Sequence, residues 1–184
     1  TRSSSIYDSN NGMAVSSKAV DGDTTQSWSS TTANMWHSSD DDSTSFLESV
    51  WWGVKLKRSV LAFTVTFWAR DSYTRDYGNE LSIWMANDWP GDLTRWSDWA
   101  SKADAVLCTN FGVTDNGIID VTCSGDGSAR YSYVFVRPTR TRVGGGNSVI
   151  QIPEILITNT PPPADPNASP VAPVAVSVSL DLVD

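Results

Sequence analysis

His37 is the single histidine among 184 residues, and that count removes two kinds of chemistry. A multi-His metal centre lacks its ligands, and a nucleophile worked by a His base has no supporting motif. Carboxylates number 21, which leaves many pairs that could cleave a glycosidic bond and no motif that selects one. The chain reads as non-catalytic. Cys108 and Cys123 enclose a short stretch rich in Gly, Asn and Asp. Two thiols cannot complete a common four-ligand zinc site, so a disulfide is the reading and a free buried pair the alternative. A bridge there would stabilise the fold by about 3 kcal/mol and would imply an oxidising compartment. Nine Trp is a large share for such a chain. Indole faces stack well on sugar rings, yet a large aromatic serves equally as an anchor of a core or loop. Trp89, Trp96 and Trp99, between Asn87 and Ser101, are placed either to offer a ring-facing surface or to pin a long loop. Asp40-Asp41-Asp42 reads as a solvated acidic loop.

Groups of this kind need a scaffold, and the scaffold here is a series of short β runs. From Val60 to Trp68, Leu61, Phe63, Val65 and Phe67 share one face and Thr64 and Thr66 the other, as in a strand covered on one side. Similar runs occupy Val50–Leu56, Glu80–Ala86, Gly117–Cys123, Arg130–Arg137 and Ser148–Thr158, and no long stretch keeps a helical apolar period. Turn chemistry separates them at Asp21-Gly22-Asp23, Asp115-Asn116-Gly117, Gly125-Asp126-Gly127 and Gly144-Gly145-Gly146. Two stacked antiparallel sheets, an all-β sandwich over residues 1–160, is the simplest architecture.

After Thr160 the composition changes. Residues 161–173, with Pro161-Pro162-Pro163, Pro166, Pro170 and Pro173, favour an extended proline-rich linker that cannot build a core. Asn167-Ala168-Ser169 inside it is an N-glycosylation sequon. Residues 174–184 alternate Val174, Val176, Val178, Leu180 and Leu182 with small or polar residues, the pattern of a strand that must find a partner in a neighbouring domain or chain. A net charge of −8 repels phosphate backbones and anionic lipid, so nucleic acid is not an expected partner. No apolar run approaches the roughly 20 residues of a membrane-crossing helix, so membrane insertion is not expected either.

Three separated stretches together resemble the F-type lectin (fucolectin) family, whose galactose-binding-like jelly roll is shared with the discoidin domains. They are Ser4-Ser5-Ile6-Tyr7 with Lys18-Ala19-Val20-Asp21-Gly22-Asp23; Val50-Trp51-Trp52-Gly53-Val54-Lys55-Leu56; and Cys108 and Cys123 followed by Ala129-Arg130-Tyr131-Ser132-Tyr133-Val134 and Pro153-Glu154-Ile155-Leu156-Ile157. The resemblance covers residues 4 to 158 and implies a non-catalytic, secreted or cell-surface module that binds a fucose- or galactose-like glycan through loops at one end of the sandwich. The family's sugar motif is a His, an Arg-x-Asp and a later Arg or Lys, and its candidates here are His37, Arg70, Asp71 and Arg75, with Arg70 and Asp71 adjacent and lacking the intervening residue. A rigid guanidinium fork discriminates hydroxyl geometry while a neighbouring carboxylate fixes its orientation. An ordinary surface pair of Arg70 and Asp71, worth little in energy, is the alternative.

The resemblance also implies a structural Ca²⁺. Its ligands would be Asp21, Asp23 and Glu154, with backbone oxygens near Lys18, Ser27 and Pro153, because this hard cation takes six to eight oxygens. A second function fits the same chain: an assembly module of an extracellular fibre, wall or surface coat, linked by addition of strand 174–184 to a neighbour.

Overall fold

Alternation at period two decides which way the central strands face. The structure is a computed structural model that describes residues 2–3, 16–27, 35–38, 46–72, 74–89, 95–102, 105–125, 129–144 and 148–159. In order, its strands are β1 (Arg2–Ser3), β2 (Trp36–His37), β3 (Trp52–Val60), β4 (Ala62–Trp68), β5 (Glu80–Ala86), β6 (Val106–Gly112), β7 (Ile118–Ser124), β8 (Tyr131–Pro138), β9 (Gln151–Ile152) and β10 (Glu154–Asn159). Short helices α1 (Phe46–Ser49) and α2 (Trp96–Lys102) and two 3-10 turns, Ser16–Val20 and Thr74–Tyr77, complete the described residues.

The strands form an antiparallel five-stranded sheet in the order β1-β3-β8-β5-β6, a three-stranded sheet β10-β4-β7, and a two-stranded ribbon β2-β9. Phe63, Val65 and Phe67 of β4 face inward to meet Val54 of β3, Leu81 and Ile83 of β5 and Val134 and Val136 of β8 in one buried core. Thr64 and Thr66 face outward, where they hydrogen-bond across to Thr122 and Asp120 of β7. The fold is therefore the expected all-β antiparallel sandwich of the galactose-binding-like type. Cys108 of β6 and Cys123 of β7 are joined by a disulfide that ties the edge of one sheet to the edge of the other.

Several boundaries differ from the sequence reading. The run Val50–Leu56 continues as a strand to Val60, and a bend at Leu61 separates it from β4. Pro153 divides the run Ser148–Thr158 into β9 and β10 because proline has no N–H to give a ladder. Strand β6 carries no clean alternation, since it lies at a sheet edge with much of its length exposed. The stretch Asn87–Ser101, read as a loop, contains α2. Residues 161–173 and 174–184, the sequon at Asn167, Asp40-Asp41-Asp42 and Ser4-Ser5-Ile6-Tyr7 lie outside the described residues.

Candidate functional site

The corner where β4 ends is clamped on both sides, which fixes where Arg70 starts from. The Ala69 N–H donates to the Gly117 carbonyl at 2.8 Å and the Asn116 N–H to the Arg70 carbonyl at 3.3 Å. From the other side the Gln26 amide donates to the Ala69 carbonyl at 2.6 Å and to that of Gly117 at 3.2 Å. The Gln26 carbonyl accepts from the Asp71 N–H at 3.0 Å. Asp115, in the turn beside Asn116, accepts from the N–H of Thr74 at 3.0 Å and from its hydroxyl at 2.7 Å. Backbone held this firmly on both flanks leaves the Arg70 side chain few directions.

That side chain meets the β2-β9 ribbon. His37 and Gln151 are directly opposed in its register. The Arg70 Nη1 donates to Gln151 Oε1, and Gln151 Nε2 lies 2.7 Å from His37 Nε2. His37 Nδ1 lies 2.6 Å from the Ser38 carbonyl oxygen. Ser38 is held in turn, its N–H donating to the Ile150 carbonyl at 3.0 Å and its hydroxyl accepting from the Ile150 N–H at 3.1 Å. Exposure is 8% for His37, 8% for Arg70 and 3% for Gln151, so the three are buried together. Asp71 is more exposed, with its carboxylate 3.9 Å from the Arg70 Nε. The structure thus brings His37, Arg70 and Asp71 to one corner. Arg75 lies in the 3-10 turn Thr74–Tyr77, with its side chain outside the described atoms.

Gln151 was not among the residues singled out by type. A polar residue between Ile150 and Ile152 looks like the solvent side of a strand, and only its register opposite His37 marks it. Gln26, one residue before the expected ligand Ser27, is a brace of the Arg70 corner.

The Asp-Gly-Asp turn sits on the same side. Ala19, fully buried, and the Trp52 indole N–H, donating to the Ser16 carbonyl at 2.8 Å, fix the preceding 3-10 turn to the core. Gly22 follows with φ +86°, a left-handed conformation that side chains resist. Its N–H donates to Glu154 at 2.9 Å, so the opening turn and the final strand lie side by side as expected. Burial pushes the Glu154 carboxyl up to about 7; the Gly22 hydrogen bond opposes this, and the charges of Asp21 and Asp23 add to it. Thr25 donates to Asp23 at 2.9 Å and holds its carboxyl below the ordinary value. Lys18 pairs with Asp21 at 3.0 Å.

These residues fit a hard cation in one respect: the charges of Asp21 and Asp23 are felt by the partly buried Glu154 carboxyl. Among the described residues no three His, Cys, Asp or Glu side chains converge on one point, so a cation would also need backbone oxygens, which Ca²⁺ accepts. Ser27 is exposed and Pro153 buried, on either side of this turn's contacts.

Trp96 and Trp99 do not supply a ring-facing surface. They are 3% and 2% exposed in a second cluster with Trp51, Ala86 and Phe135, on the outer face of the five-stranded sheet. Their rings meet edge to face with centroids 4.7 Å apart, and the Arg137 guanidinium lies 4.9 Å from the Trp96 ring centre. Trp89, half-buried, packs against Trp51, Tyr133 and Phe135. Large apolar area won over display, and α2 exists to cover it.

A sandwich of this topology with a polar cluster at one end is the class to which the galactose-binding-like carbohydrate-binding modules belong. No family model matches the sequence, and no curated protein matches it; the likeness is structural. A fucolectin from striped bass (Morone saxatilis) serum aligns at TM-score 0.58 and 17% identity over 86% of this chain and 45% of that one. The chain therefore spans less than half of that lectin. The module CBM32-3, from a family 31 glycoside hydrolase of Clostridium perfringens, aligns at 0.58 and 14% identity, covering 87% and 89%. A fucose binding module of Streptococcus pneumoniae aligns at 0.53 and 14%, covering 86% and 89%. This chain has the fold of the F-type lectins and of these discoidin-like modules.

Proposed function

We propose that this chain is a non-catalytic glycan-binding module that recognises a fucose- or galactose-like sugar at the end of the sandwich where β4 delivers Arg70. The observation that carries the reading is the corner of His37, Arg70 and Asp71, the residue types expected for hydroxyl recognition, braced by Gln26, Asn116 and Gln151. A rigid guanidinium beside a carboxylate distinguishes an axial from an equatorial hydroxyl, because a misplaced hydroxyl leaves buried donors unpaired. The neighbours named for fucose binding and for fucolectin activity support the sugar class.

Ca²⁺ joins this reading as a structural ion held by Asp21, Asp23 and Glu154, with backbone oxygens from Lys18, Ser27 and Pro153. Bound there, it would supply positive charge that keeps Glu154 ionised. Through the loop that runs on to Gln26 it would stiffen the Arg70 corner. The disulfide supports a secreted or cell-surface setting, and no described helix is long and apolar enough to cross a membrane.

A glycan array with and without chelator tests the proposal. Binding of fucosylated or galactosylated glycans is expected, lost in Arg70→Ala and weakened by chelator. An array without a hit from the folded protein in calcium would overturn it.

A further inference from the structure

The amide of Gln151 lies between a group that can only donate and a ring that can do either, and this decides what His37 does. A guanidinium has no acceptor, so Gln151 must turn Oε1 toward Arg70. Its NH₂ then faces His37 Nε2 at 2.7 Å, which requires a lone pair on that nitrogen. The ring proton is left on Nδ1, where the Ser38 carbonyl accepts it at 2.6 Å. Turning the amide over would press NH₂ against the guanidinium, donor against donor, in a place only 3% exposed. Both ring nitrogens are therefore committed, one to backbone and one to the amide.

We propose that Gln151 is the positioning residue of this corner. It fixes His37 as the neutral Nδ1–H tautomer and aligns the Arg70 fork, so that His37 shapes the site without itself donating to the sugar. The resemblance implied a sugar-binding role for His37; the hydrogen-bond directions make it a support acting through Gln151. Ser38 completes the chain, since its two bonds to Ile150 keep the accepting carbonyl in place. The functional half of this inference rests on the glycan-binding reading, whereas the tautomer does not.

The chain's one histidine makes the experiment clean, because every imidazole nitrogen signal in an NMR spectrum belongs to His37. At neutral pH the wild type is expected to show a protonated Nδ1 and an unprotonated Nε2, unchanged in type when saturating fucosylated glycan is added. In Gln151→Glu, close to the wild type in shape, the acceptor that replaces the amide NH₂ draws a proton onto Nε2. In Gln151→Leu the Ser38 carbonyl still holds the Nδ1 proton, the Nε2 signal shifts because its amide partner is gone, and glycan affinity falls about tenfold or more, the size of one lost hydrogen bond to a charged group. An Nε2–H tautomer in the wild type, or a Nε2 that becomes a donor on glycan binding, would overturn the proposal. So would Gln151→Leu with an unchanged ring and affinity. Should the leucine variant not fold, the wild-type and Gln151→Glu spectra decide alone. If the wild type binds no glycan, the function fails while the tautomer still tests the positioning.

Discussion

Glu154 is the residue whose environment makes the sharpest demand. Its carboxyl is raised to about 7 by burial and by Asp21 and Asp23, from an ordinary value of 4.5. The folded state therefore holds the proton more tightly than the unfolded one, and this group's contribution to stability is fully present below pH 4.5 and lost as pH rises through about 7. In chelator, the thermal midpoint is expected to fall across that window, and Glu154→Gln should flatten the fall. Added Ca²⁺ should raise the midpoint at pH 8 and do much less at pH 5, where the carboxyl is protonated; equal shifts at both, or a shift retained in Glu154→Gln, would remove the cation from this turn. The sequence displayed this pair of sites unevenly. Asp21, Glu154, His37 and Arg70 were legible through the resemblance, whose motifs fall on them. Gln151 and Gln26 were not, since an amide gains its meaning from which carbonyl, ring or guanidinium lies opposite, and that is a property of register.

Among the elements, Gly53 of β3 is paired with Phe135 of β8. A methyl group on Gly53 would fall 2.5 Å from the Phe135 ring, so the ring lies over bare backbone. Gly53→Ala is expected to cost about 1–3 kcal/mol, read by chemical denaturation, because the ring must leave its packed position. Helix α2 depends on a similar anchor. Arg137 of β8 donates to the Leu47 carbonyl of α1 and lies over Trp96 of α2, and burial pushes its guanidinium down to about 10, with Glu48 opposing. Glu48 also accepts from the Ser97 N–H at 3.0 Å, so both short helices are tied to one cation. Arg137→Ala should destabilise by about 1–3 kcal/mol and increase tryptophan solvent exposure in fluorescence, since it strips the Leu47 carbonyl of its donor and the Trp96 ring of the guanidinium packed on it. Strand β4 could be read from alternation because one face is buried along its length. Strand β6 and helix α2 could not: an edge strand loses the contrast between faces, and a seven-residue helix has too few turns to show a period.

For the molecule as a whole, the disulfide is the covalent link between the two sheets, closing a separation of 15 residues between their edges. Replacing Cys108 and Cys123 together by Ala should lower stability by about 3 kcal/mol while glycan affinity stays within about twofold, because the bridge is remote from Arg70 along the strands. A large loss of binding without unfolding would instead tie the disulfide to the rim. The architecture was readable at this scale from short strands and turn signals, and the packing of opening turn against closing strand followed from the resemblance and is seen in the Gly22–Glu154 bond. The direction of β10 carries one more meaning. It enters beside Trp68, next to the Arg70 corner, and its last residue, Asn159, is paired with Phe63 at the far end of β4. Five strand steps of about 3.4 Å separate these points by about 17 Å. Strand β10 thus ends at the heel of the sandwich while the Arg70 corner is at its toe, so an anchorage attached at Asn159 would hold the proposed sugar site outward, like the cup at the end of a ladle.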